Sequence, residues 1–89
     1  MSSQATTEPL ALVLEVLHAV LGADVPLAAD TELLEVRGFD SMALAALVDG
    51  LEDRLGMRLA DELIVPDVFA TPGLIAGRLV GPALSGEVS

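Results

Sequence analysis

The sequence predicts a small all-α domain with three main helices, one short helix and a long loop between helices I and II. Two segments repeat apolar residues at i, i+3, i+4, i+7 and i+11, the spacing of a buried helix face, and a third carries helix-start signals. No segment alternates apolar and polar residues as a strand would. Because the chain has 89 residues, it has room for a single core.

Helix I is predicted between Thr7 and Gly22. Thr7 is a favoured N-cap, Pro9 fits the first turn and Gly22 is typical of a helix end. His18, with Glu15, falls on the opposite and solvated face. The predicted buried face comprises Leu10, Val13, Leu14, Leu17 and Leu21.

Residues 23–39 form a connection that is longer than most structureless loops, which indicates a function or anchoring contacts. One short turn is expected around residues 30–32. The anchors expected from their apolar side chains are Leu27, Leu33, Leu34 and Val36.

Helix II is predicted to begin at the N-cap residue Asp40 and to end at Gly56. Gly50 lies inside it and should cost about 1 kcal/mol relative to Ala. The predicted buried face comprises Leu44, Leu47, Val48, Leu51 and Leu55.

A short turn over residues 61–64 and a last helix complete the predicted bundle. The last helix should start at Thr71 and Pro72, again a cap followed by proline, and end at Gly81-Pro82. Its inward residues would be Leu74, Ile75 and Leu79. This gives a folded domain over 8–81 between flexible segments, 1–7 and 82–89.

The composition excludes several classes of function. The chain has 14 Asp and Glu against four Lys and Arg, a net charge of −10, which excludes ordinary nucleic-acid binding and favours a basic protein partner. The absence of cysteine excludes disulfides and thiolate metal sites. No apolar run approaches the roughly 18 residues of a membrane span. These features predict a soluble, cytoplasmic protein. It is expected to be a monomer, because the apolar faces of helices I and II are both buried within one bundle.

The sequence contains few residues that could form a catalytic or metal site. His18 is the only histidine, so a nucleophile–base device would have to use it, and a solvated surface residue is the simpler interpretation. The acidic pairs Glu52-Asp53 and Asp61-Glu62 resemble a glycosidase couple only in composition and are expected to be solvated. No catalytic residue and no metal ligand set is predicted.

The junction from Gly38 to Met42 is the strongest functional candidate. Asp40 can cap the helix and Phe39 can pack on Leu44, which would fix how the chain enters it. Ser41 then occupies the first helical position, where the helix dipole favours negative charge. A phosphodiester on its hydroxyl would be stabilised there.

The residues around this junction resemble an acyl carrier protein or thiolation domain. The run Gly38-Phe39-Asp40-Ser41-Met42 is followed at the spacing typical of the family by Leu47, Leu51-Glu52, Leu55-Gly56 and Leu59. Upstream, Asp30-Thr31-Glu32-Leu33 resembles the Asp-x-x-Leu loop of the family, and Phe69-x-x-Pro72 resembles the start of its last helix. The resemblance covers about residues 9–80.

The resemblance implies that Ser41, preceded by the motif residue Asp40, carries 4′-phosphopantetheine taken from coenzyme A by a phosphopantetheinyl transferase. The arm would hold an acyl, aryl or aminoacyl group as a thioester, so the protein would be a carrier in fatty-acid, polyketide, peptide or related biosynthesis and not an enzyme.

The resemblance also implies a docking face on helix II for ligases or synthases with basic patches, comprising Met42, Ala46, Asp49 and Asp53. Ala46 departs from the acidic residue of many carriers, and Gly73 stands where modular carriers usually have Thr. Met42 and the sequence around Gly73 favour a discrete, free-standing carrier. The small Ala45 suggests a cavity near helix II that could accept cargo.

Two other classes of function remain open from the residues. An acidic helical docking or adaptor module without a prosthetic group explains the charge and the amphipathic helices equally well. It does not explain the junction at Ser41. A hydrolase built on Ser41 lacks a base, because His18 is predicted to face outward from another helix.

Overall fold

The computed structural model describes residues 8–85, and within them every regular element is helical. The elements are α1 (Pro9–Leu21), a first 3-10 helix (Leu33–Glu35), α2 (Ser41–Leu55), a second 3-10 helix (Asp61–Leu63), α3 (Pro72–Ile75), a π-helical stretch (Ala76–Val80) and α4 (Gly81–Ser85). The last three follow one another without a break and act as one long helix. The predicted all-α bundle is confirmed.

Helix α1 begins one residue later than the predicted cap implies. Glu8 occupies the N-cap position and its side chain makes no capping hydrogen bond, while Pro9 is the first helical residue. Thr7 lies outside the described residues. The helix ends at Gly22, whose N–H donates to the carbonyl of His18 at 2.8 Å.

The buried face of α1 differs from the predicted one. Leu12, Val13, Val16 and Leu17 are buried, whereas the predicted Leu10, Leu14 and Leu21 are only partly covered. Because α1 packs against both α2 and the long C-terminal helix, its covered surface is broader than a single stripe and is centred between the two neighbours.

Helix α2 has the predicted limits. Asp40 is its N-cap, and Gly56 ends it in the left-handed conformation with φ +70°, which glycine adopts at no steric cost. Leu47 and Leu51 are completely buried, and Leu44, Val48 and Leu55 pack partly buried against them. The structure adds Ala43 to the buried face.

The last helix starts as predicted but extends further. The hydroxyl oxygen of Thr71 accepts from the N–H of Leu74 at 3.1 Å. The predicted end at Gly81-Pro82 is wrong, since helical structure continues to Ser85. The N–H of Gly81 donates to Ala76, five residues back, and this wider turn lets Pro82 stand in the first turn of a new α-helical segment, where a missing N–H is tolerated.

The long loop before α2 is fixed to the start of α3 by two backbone hydrogen bonds. The N–H of Leu33 donates to Ala70 at 2.9 Å, and the N–H of Gly73 donates to Ala29 at 2.8 Å. Leu33 is completely buried, but Leu34, predicted as an anchor, is 64% exposed. In a 3-10 helix neighbouring residues point in different directions, so only one of these two leucines can face the core.

His18 and Glu52 are also less solvated than predicted. The His18 ring is partly buried, and its Nε2 lies 2.9 Å from the carbonyl oxygen of Val25. The Glu52 carboxylate accepts from the N–H of Leu59 at 2.7 Å, which holds the chain that leaves α2. Both side chains therefore stabilise loops next to helix ends.

Candidate functional site

Ser41 is exposed at the first residue of α2. The chain reaches it through a tight turn, in which the N–H of Phe39 donates to Val36 and the N–H of Asp40 donates to Gly38, both at 3.1 Å. Gly38 has φ +93°, a conformation that other residues adopt at a cost. Glycine at this position therefore lets the chain turn directly into the helix.

The start of α2 leaves two backbone N–H donors open next to Ser41. The carboxylate of Asp40 accepts from the N–H of Ala43 at 2.9 Å, and its carbonyl accepts from the N–H of Leu44 at 2.9 Å. Within the described residues, the N–H groups of Ser41 and Met42 make no hydrogen bond. Such open N–H groups and the helix dipole favour an anion at this end.

Two open grooves meet at Ser41. The larger, of about 320 Å³, extends along α2 and is lined by Ser41, Leu44, Ala45, Val48, Asp49 and Ile64. The smaller, of about 210 Å³, is lined by Leu34, Phe39, Asp40, Ser41 and Leu44. An exposed hydroxyl thus stands between two largely apolar surfaces.

The family model described as "Phosphopantetheine attachment site" matches residues 11–79 of this chain. The chain belongs to this family. The match covers well over half of the chain and falls within the predicted folded domain, 8–81. Searches of curated proteins and of solved structures found no significant match.

Members of the phosphopantetheine-attachment family carry a covalently bound 4′-phosphopantetheine group, and the residues around Ser41 fit such an arm. An exposed hydroxyl can form an ester, the helix N-terminus can stabilise the phosphate, and the apolar walls of both grooves can cover carbon-rich parts of the arm. When bound, the group supplies a thiol that the cysteine-free carrier chain lacks.

The predicted docking face of this carrier domain is exposed along its whole length. Met42 is 81% exposed, and Ala46, Asp49 and Asp53 are exposed on the following turns of α2. Within the described residues, neither Asp49 nor Asp53 makes a hydrogen bond or an ion pair. Both carboxylates are therefore available to a basic partner.

The other predicted candidates do not join the site. His18 contacts Val25 and makes no hydrogen bond to Ser41, and Glu52 contacts Leu59. Among the described residues, no group of three or more His, Asp or Glu could hold a metal ion. None of the described helices is long and apolar enough to cross a membrane.

Leu34 and Ile64 line the grooves although the sequence pattern does not mark either as a site residue. The sequence predicts Leu34 as a loop anchor and Ile64 as part of a short turn, yet each forms a groove wall beside Ser41. Leu34 belongs to the first 3-10 helix and Ile64 directly follows the second, so each reaches the grooves from outside α2. Local sequence patterns contain no signal for that placement.

Proposed function

We propose that Ser41 carries the 4′-phosphopantetheine arm and that Asp40 positions it by capping α2. The observation that carries this proposal is an exposed hydroxyl at the first residue of a capped helix, inside the segment that matches the family. The described residues 8–85 contain one other serine, Ser85. It lies beyond the matched segment.

The protein would hold an acyl, aryl or aminoacyl group as a thioester on this arm. It would deliver the group to partner enzymes of fatty-acid, polyketide, peptide or related biosynthesis. Bond-making chemistry then belongs to the partners, which agrees with the typically non-catalytic role of carrier domains. Ala45 and the larger groove leave room for an apolar part of the cargo beside α2.

Partner enzymes would dock on Met42, Ala46, Asp49 and Asp53. The exposed thioether of Met42 offers an adaptable apolar contact next to the attachment point. Asp49 and Asp53 lie further along α2 and would attract phosphopantetheinyl transferases, ligases or synthases that present basic patches. We propose that the carrier acts as a monomer, since the apolar faces of its helices are packed in its own core.

Intact mass spectrometry tests the attachment. The protein is incubated with coenzyme A, Mg²⁺ and a phosphopantetheinyl transferase of broad specificity, and the expected result is the mass gain of one phosphopantetheine. Ser41→Ala should show no gain, whereas the matched control Ser85→Ala should gain the same mass as the native chain. Circular dichroism checks that both variants stay helical.

Two results would contradict this assignment. One is the absence of any gain with several transferases under conditions in which a control carrier is modified. The other is a gain that survives in Ser41→Ala, whichever other serine carries it.

A further inference from the structure

The smaller groove next to Ser41 has an exposed apolar wall, formed in part by a leucine that is not packed in the core. Leu34 is 64% exposed although it follows the completely buried Leu33. It lines the groove together with Phe39 and Leu44, which are both partly buried. We call this surface the Leu34 groove.

We propose that the Leu34 groove is a binding site for the dimethyl-substituted carbon of the phosphopantetheine arm. The inference rests on the proposed attachment at Ser41. In the arm, one methylene joins the phosphate to a quaternary carbon with two methyl groups, and a hydroxyl group and two amides follow along the chain. The dimethyl carbon is therefore the apolar group closest to the attachment point, and an apolar groove begins at that point.

The tether favours this contact. Because Ser41 itself lines the groove, an arm bound there stays at a high effective concentration, so a weak apolar contact suffices to populate it. Burial of the two methyl groups against Leu34 and Phe39 would remove apolar surface from water on both sides.

Position favours the Leu34 groove over the larger one for this part of the arm. The larger groove extends along α2 from Ser41 to Asp49, away from the open N–H groups at the helix start. The Leu34 groove lies at the helix start, where Leu34 and Phe39 form its apolar wall and the Asp40 carboxylate accepts from the N–H of Ala43. The phosphate would then remain near the open N–H groups while the methyl groups enter the groove.

Nuclear Overhauser effects in the carrier loaded from coenzyme A test the contact directly. The chain has two phenylalanines and no Tyr or Trp, so its aromatic protons are few. The expected result is an effect between the arm methyl protons and the ring of Phe39. Phe69, which is 1% exposed in the core, serves as the internal control and should show none.

A pair of leucine variants identifies the groove. Leu34→Ser should lose the effect to Phe39, measured on loaded protein whose mass shows that it carries the arm. Leu63→Ser is the matched control, since Leu63 is also exposed and lines neither groove. It should retain the effect.

The outcomes separate this proposal from the proposed function. Normal loading with no effect to Phe39, or with effects to Val48 and Ile64 instead, overturns the Leu34 groove and leaves the carrier function intact. An effect that is unchanged in Leu34→Ser also overturns it. If the native chain is not loaded at all, both the proposed attachment at Ser41 and the assignment of the Leu34 groove are overturned.

Discussion

Gly50 of α2 approaches Val16 of α1 so closely that no side chain fits between them. A Cβ at position 50 would lie 2.6 Å from the Cγ1 atom of Val16. A glycine inside a helix lowers its stability by about 1 kcal/mol relative to Ala, but here it lets two helices pack in close contact. The unfavourable helix propensity is therefore offset by packing.

Gly50→Ala should lower the free energy of unfolding by about 1–3 kcal/mol, the usual cost of overpacking a core. Alanine has the better helix propensity, but Val16 is 2% exposed and cannot turn away into solvent. Urea denaturation followed by circular dichroism measures the change.

The matched control for this prediction is Gly77→Ala. A Cβ at position 77 has nothing within 4 Å, so only the helix propensity acts and stability should rise by up to about 1 kcal/mol. If Gly50→Ala raised the stability as much as Gly77→Ala, the proposed close contact between Gly50 and Val16 would be contradicted. In the double variant Val16→Ala/Gly50→Ala, the smaller side chain at position 16 leaves room for the added methyl group. The loss of stability in the double variant should therefore be smaller than the sum of the losses in the two single variants.

Local chemistry made both ends of α2, the start of α3 and the candidate site predictable. The side-chain oxygens of Asp40 and Thr71 each accept a hydrogen bond from the backbone N–H three residues later, and Gly56 adopts the left-handed conformation. These signals act within a few residues and depend little on the rest of the fold. The position of Ser41 at a helix start was predictable for the same reason.

Features that depend on distant segments were not predictable. Leu12 and Val16 are buried because α1 has two neighbours, which its own periodicity does not show. The grooves next to Ser41 need Leu34 and Ile64 from two segments outside α2. The helix past Pro82 depends on a π turn just before it, and that turn has no local sequence signal.

Asp40→Ala should lower the free energy of unfolding by about 1 kcal/mol, since the N–H of Ala43 loses its capping carboxylate. Asp40→Asn is the control, because asparagine caps helices about as well. Urea denaturation of both variants measures the difference. Equal losses in the two variants would indicate that the negative charge at the helix start matters and that the capping hydrogen bond does not.

Gly73→Ala should loosen the loop that leads to Ser41. A Cβ at position 73 would lie 2.9 Å from the backbone oxygen of Ala29, the same oxygen that accepts the Gly73 N–H at 2.8 Å. Because the contact is with a backbone atom, the loop must move to make room for the methyl group. We expect the free energy of unfolding to fall by about 1–3 kcal/mol.

Amide hydrogen exchange localises this effect. Protection should fall at position 73 and at Leu33, whose N–H donates to Ala70 in the same contact. Gly77→Ala should leave both amides protected. Unchanged protection in Gly73→Ala would show that the loop is not held to α3 at this point.

Asp49→Arg combined with Asp53→Arg should slow loading of the carrier by a phosphopantetheinyl transferase roughly tenfold or more, the size of effect that electrostatic steering gives. Both side chains are exposed on α2, so helicity should not change. Initial rates are measured at rising salt concentrations. The native rate should fall with salt, and the rate of the variant should change less.

The control for this variant separates docking from overall charge. Asp24→Arg combined with Asp30→Arg makes the same change in net charge, from −10, at two exposed residues of the long loop. Its loading rate should stay close to that of the native chain if partners dock on α2. Equal slowing in both double variants would mean that partners respond to the total charge, and the assignment of Asp49 and Asp53 to a docking face would then be wrong.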